Sequence, residues 1–337
     1  MTKKRNLSID YMRMIAAILV VIIHSPPFTG ISPLLDYSIL DVLPRIAVPF
    51  FFAISGFYFM KASKEKQLKQ ILNVVKKYCI ITFVYTIFKI VLAMVTHSEL
   101  EFSIFGFIFN FFTIGVEYHL WFFPALIYSM LFVYLFNILF NKISKKNVSN
   151  IYMYISIVLY LIGVLGCSYY ELGIKIPAAS LLFDNAYFGI IRRLLLMGFS
   201  FIVSGYFADL FSKTFSTKSA LRSLVVFGVL FLAEIYTLYY LKIYRTVVIT
   251  LFLYPLIISL VWYLVSNPSY KNEQLGRICK NTSMIMYYYH PMLLSVLYLF
   301  NENKTYNFFI VIAAFIVVGL VNNIINNKNS MKEKVEK

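Results

Sequence analysis

Two residues with the right types and spacing for chemistry stand near the start of the chain: Arg13 and His24, in "DYMRMIAAILVVIIH" at residues 10 to 24. Eleven helical residues turn through about 1100°, within about 20° of three full turns, so both side chains fall on one stripe about 16 Å apart along the axis. Asp10 sits three residues before Arg13 on that stripe and can pair with it. A guanidinium suits the phosphates of a ligand arriving at one end. An imidazole at the other end suits a general base. On geometry alone, an arginine snorkelling to headgroups and an interfacial histidine fit the same spacing.

The elements that must position this pair are membrane spans. Of 337 residues, 60% are hydrophobic and 14% charged, against about half and a quarter in an ordinary soluble domain. The expected fold class is therefore all-α, a polytopic integral membrane helical bundle. Ten apolar runs are long enough to span: 7–25, 44–61, 73–95, 119–140, 150–168, 187–210, 219–240, 245–265, 282–300 and 306–326. The shorter run 102–115 reads as an interfacial or re-entrant piece. The net charge of +16 does not indicate a nucleic-acid partner, because the lysines occupy short connectors. Near-span basic residues divide roughly 22 against 4 between alternate connectors, which places both termini in the cytoplasm and the loops after His24, Val95 and Cys167 outside. No cleavage pattern follows the first run, so it is expected to be retained as a span. The expected organisation is one membrane domain over 1–337, its spans within 7–326 and a basic tail at 327–337. No connector is long enough to bury a core of its own.

Charged and imidazole side chains inside such a bundle face its interior or a cavity, with partners. Arg45 opens the second span, and Ser55-Gly56 within it allows close helix approach. Glu117, His119 and Trp121 cluster at the outer entry of the fourth span, where they either line an acceptor cleft or belong to the aromatic belt. Arg192 and Arg193 stand at the outer edge of the sixth span and diverge by about 100°, so at most one is expected to face inward. His290 lies in the ninth span before Pro291, which frees a backbone carbonyl. His97, in the acidic loop "THSELE", reads as solvated surface. Cys79, Cys167 and Cys279 show neither pairing nor metal spacing, and no metal is expected. Phosphate loop, G-x-S-x-G and H-E-x-x-H signatures are absent.

In four motifs the chain resembles the membrane acyltransferase-3 family: Arg13 and His24 as R-x10-H, "VPFFFAISGF" in the second span, "HLWFFPAL" entering the fourth, and "YYYHP" in the ninth. Within that family it most resembles the membrane half of vancomycin-resistance-type serine racemases, without their racemase domain. The resemblance implies transfer of an acyl group, usually acetyl, from cytoplasmic acyl-CoA to a hydroxyl on an extracytoplasmic acceptor such as a cell-surface glycan. It implies His24 as the essential histidine and Arg13 as the arginine tied to acyl-CoA. His24 and His290 are then the expected catalytic residues. Arg13, Asp10 and Arg45 are expected on the acetyl-CoA side, and Glu117, His119, Trp121, Arg192 and Arg193 on the acceptor side. Glu117, Cys167 and the Arg192-Arg193 pair depart from the family pattern, all toward the acceptor. The expected location is the bacterial plasma membrane. The rival reading is a carrier of serine or another small amino acid, or a polysaccharide exporter, although no two-half repeat of the transporter kind is evident.

Overall fold

The computed structural model describes residues 5–99, 103–140 and 142–335, and among them no strand occurs. Lys3, Lys4 and residues 100–102, counted above among basic residues, the acidic loop and the short apolar run, lie outside the described residues. Besides two short helices at Tyr170–Gly173 and Ala179–Phe183, the helices in chain order are α1 (Leu7–His24), α2 (Pro33–Phe59), α3 (Lys64–Thr96), α4 (Ile104–Phe112), α5 (Phe122–Leu139), α6 (Lys145–Leu165), α7 (Phe188–Thr214), α8 (Thr217–Leu241), α9 (Leu253–Ser266), α10 (Glu273–Tyr298) and α11 (Lys304–Val335). Starts are set by ordinary caps: Asn6 accepts from the Ser8 N–H, and Ser103, Ser144, Ser216 and Asn272 do the same for α4, α6, α8 and α10.

Among the described residues, eight helices are long and apolar enough to cross a bilayer: α1, α2, α3, α5, α6, α7, α8 and α11. The two remaining expected spans are α9 and α10. The run 245–265 is helical only from Leu253, and α9 has 14 residues, about 21 Å against a hydrocarbon core of about 30 Å. Residues 242–252 are unwound because Glu234 of α8 takes the backbone N–H groups of Leu251 at 2.6 Å and Phe252 at 2.8 Å. α10 has ample length at 26 residues, but its tyrosines, His290 and its charged first turns dilute its hydropathy. The second span starts earlier than expected, at Pro33. A π stretch (Ser38–Val42) and a 3-10 stretch (Leu43–Ile46, containing Pro44) interrupt it and mask its first turns in the sequence pattern. The run 102–115 yields α4, a nine-residue helix with no buried residue, tied by the Tyr78 hydroxyl to Phe111 O at 2.7 Å. The expected tail 327–337 continues α11 as helix to Val335.

The chain forms two compact units. The first comprises residues 1–48 and 264–337. In it α10 packs along both α1 and α11. The second comprises residues 49–263, with α7 at its centre against α5 and α6. Of the apolar window of α7, 72% is buried, against 22% for α3 and for α8, so α7 is core and the other two face outward. Its close approach to α2 depends on glycines. A methyl group on Gly56 would collide with the Ile202 carbonyl, and one on Gly205 with the Ala53 carbonyl. Ser55 bonds within its own helix, to Phe51 O.

Candidate active site

The first unit holds the two ends of the α1 stripe. At the N-terminal end Asp10 is 2% exposed and accepts from Arg5 Nε at 2.6 Å and Arg13 Nη1 at 3.0 Å. One buried carboxylate thus stands against two guanidiniums, which leaves a net positive charge. Arg5 Nη2 is buried with no hydrogen-bond partner among the described residues. An unmatched buried donor in a positive cluster fits phosphate oxygens. The expected Asp10–Arg13 pair is present. Arg5 was missed because, within "TKKRN", it counts as one more inside-facing charge.

At the C-terminal end the His24 ring stacks on His290, centroids 5.2 Å apart and planes 28° apart. His290 is fully buried on α10. Its Nδ1 lies 2.8 Å from Met286 O and 3.2 Å from Tyr287 O. A carbonyl can only accept, so these contacts put a proton on Nδ1. The local sequence explains why. Pro291 has no N–H to give Tyr287 O, the carbonyl four residues back, and the imidazole supplies one instead. The start of the chain beyond α1 is stitched down around the pair: the Tyr298 hydroxyl is 3.1 Å from Ser25 Oγ, which donates to Lys304 O at 2.9 Å. Arg45 of α2 is ion-paired with Asp41 one turn earlier.

The residues expected on the acceptor side all belong to the second unit, where they take four directions. Glu117 pairs with Lys89 and lines a cavity of about 620 Å³ between α3 and α4. His119, 3% exposed, packs against Tyr85 with ring centroids 4.9 Å apart. Trp121 carries the guanidinium of Arg193 over its ring at 5.6 Å, a cation–π contact. Arg192 turns away to the Cys167 thiol, 3.9 Å distant. The two adjacent arginines diverge as a helix requires, and both are half-buried. Glu234 is a further intramembrane carboxylate, 6% exposed, that sequence reasoning passed over. A lone acid in an apolar run was the signal available. Burial and then Glu234 push the Tyr169 hydroxyl up to about 12, so it remains a donor to that carboxylate. The three cysteines are free thiols, and no group of metal-ligating side chains occurs among the described residues.

A stripe joining a basic cluster to an imidazole pair, on a chain rich in membrane-spanning helices, can be compared with known proteins. The acyltransferase domain family matches residues 6–323. The chain belongs to the acyltransferase-3 family. Among curated proteins it is 33% identical over 173 residues to a serine/alanine racemase of Enterococcus gallinarum, covering 50% of this chain and 24% of that one. It is 34% identical over 187 residues to an amino-acid racemase of Enterococcus faecalis, covering 54% and 26%. The chain thus spans about a quarter of the length of these relatives. The resemblance read from the motifs is therefore met by both comparisons. No solved structure matches this acyltransferase-3 member.

Proposed function

We propose that this membrane acyltransferase moves an acyl group, acetyl above all, from cytoplasmic acyl-CoA to a hydroxyl of an extracytoplasmic cell-envelope acceptor. The observation that carries the reading is the α1 stripe. Its Arg5–Asp10–Arg13 cluster and its His24–His290 stack lie at opposite ends of one helix within one compact unit. Counting α9 and α10 as crossings gives ten, and the connector charges support cytoplasmic termini. That topology puts the basic cluster inside and the imidazoles outside, in a bacterial plasma membrane.

The thioester of acyl-CoA supplies the activated carbonyl. Arg5 and Arg13 hold phosphate oxygens at the inner end, with Asp10 fixing both guanidiniums. His24 takes the proton of the acceptor hydroxyl as its oxygen attacks the carbonyl carbon. When the carbon–sulfur bond breaks, the imidazolium returns that proton to the departing thiolate. His290 has its Nδ1 committed to Tyr287 O and Met286 O beside His24. Stacked face to face on His24, it fixes the orientation of that ring, and an arginine such as Arg45 is the better oxyanion donor.

In His24→Ala, transfer from labelled acetyl-CoA is expected to fall by about 10²–10⁴-fold, the usual worth of a general base, with acetyl-CoA binding retained. Wild-type transfer in that variant ends the proposal. The racemase names of the relatives favour one second reading, a carrier of serine or a similar small amino acid. Saturable serine uptake by proteoliposomes without acyl-CoA supports the carrier, and its absence removes it.

A further inference from the structure

Beside the end of α6, the start of α7 and the end of α8, the second unit forms a partly open pocket of about 220 Å³ lined by Gly166, Asp184, Asn185, Phe188, Arg192 and Arg245. At about 30 Å³ per water it has the room of some seven waters, enough for one small polar group. Its charges are two guanidiniums and one carboxylate. Arg245 is already engaged, donating to Phe183 O at 2.7 Å and lying 3.6 Å from Asp184, which also accepts from the Tyr170 hydroxyl at 2.5 Å. Arg192 is different. Its described polar contact is the Cys167 thiol, and its Nε is buried with no hydrogen-bond partner among the described residues.

Cys167 does not neutralise it. The thiol is fully buried just past the end of α6, and burial pushes its ionisation up more than the two arginines pull it down. The cavity therefore holds one positive charge in excess. A guanidinium with a buried, unmet donor beside a small cavity is the recognition half of an ion pair.

The geometry points to a binding site for a small oxyanion, a carboxylate or phosphate group, held between Arg192 and Arg245 and limited by Asp184. Binding there does not require acyl transfer, so its test uses no acyl donor and fails or succeeds apart from the function proposed above.

The experiment is equilibrium dialysis of the full chain in detergent against radiolabelled inorganic phosphate, with acetate as competitor at matched ionic strength. Nanodiscs with and without phosphatidylglycerol form a third arm, in which displacement of phosphate by the anionic lipid identifies a headgroup as the source of the oxyanion. The expected result is saturable binding displaced by acetate or by the lipid, weakened at least tenfold by Arg192→Gln and by Arg245→Gln. Arg222→Gln, far along α8 on an exposed surface, leaves it unchanged. Asp184→Asn removes the competing carboxylate and tightens binding severalfold, a gain that misfolding cannot imitate. No saturable binding, or equal affinity in wild type, Arg192→Gln and Asp184→Asn, overturns the assignment.

Discussion

Asp10 is the residue on which the N-terminal end of the α1 stripe turns. It is 2% exposed and bonded to two arginines whose side chains are 32% and 22% exposed. Removing one member of a buried ion cluster leaves the others uncompensated, at a cost of about 3–5 kcal/mol. Because both arginines retain some solvent, Asp10→Ala is expected at the lower end, about 3 kcal/mol, measured as the loss of chemical-denaturation stability in detergent. A loss under about 0.5 kcal/mol, the range of ordinary surface substitutions, would show that the cluster is held by something else. Cys167 offers a pH test. Its thiol ionisation is raised by burial, so the protonated form is favoured in the folded chain. That contribution is complete below the ordinary thiol value and fades as pH rises above it. The stability advantage of wild type over Cys167→Ser should therefore shrink on going from pH 7 to alkaline pH. An advantage that grew instead would contradict a neutral buried thiol.

At the scale of elements, three devices shape the helices, and they differ in how far the sequence announces them. Pro291 is plain in the sequence, as is the carbonyl it frees, but the filling of that gap by His290 Nδ1 needs the helix in hand. Pro291→Ala restores an N–H to Tyr287 O and releases the imidazole from its fixed tautomer. Stability should hold or rise while kcat falls about tenfold, since general-base catalysis depends on the correct protonation state. Unchanged kcat would detach His290 from the reaction. The second device, Glu234, holds the unwound stretch before α9. Glu234→Ala strands two backbone donors, at about 1–3 kcal/mol for each buried group left unsatisfied, and limited proteolysis should cut within 242–252 faster than in wild type. The third is the seam of α2 and α7. Ser55-Gly56 announces close approach in the sequence, whereas its opposite number, Gly205, stands out only when the Ala53 carbonyl is seen against it.

For the whole molecule, composition and periodicity expose the helical membrane class, and the R-x10-H stripe exposes one face of the site, because both are local properties of the chain. What sequence could not expose is pairing between distant segments. Glu117 meets Lys89, Arg192 meets Cys167, and Glu234 meets Leu251 and Phe252. None of these pairs shares a helix. The span count is affected for a related reason. α10 is sheltered by α1 and α11, so it tolerates polar residues that a lipid-facing helix would not, and α9 is shortened by a carboxylate from another helix. The proposed topology is testable in a background lacking Cys79, Cys167 and Cys279. A cysteine at Lys175 should react with an impermeant maleimide from outside, and one at Lys218 only after permeabilisation.

The central claim is that donor binding and proton transfer occupy opposite ends of α1, and steady-state kinetics of two variants tests it most directly. Acetyl transfer is measured against acetyl-CoA concentration for Arg13→Gln and His24→Gln. The account predicts that Arg13→Gln raises KM for acetyl-CoA with kcat largely kept, and that His24→Gln lowers kcat by about 10²–10⁴-fold with acetyl-CoA binding kept. If both variants lose KM and kcat together, or if His24→Gln still turns over at the wild-type rate, α1 does not connect two separate tasks.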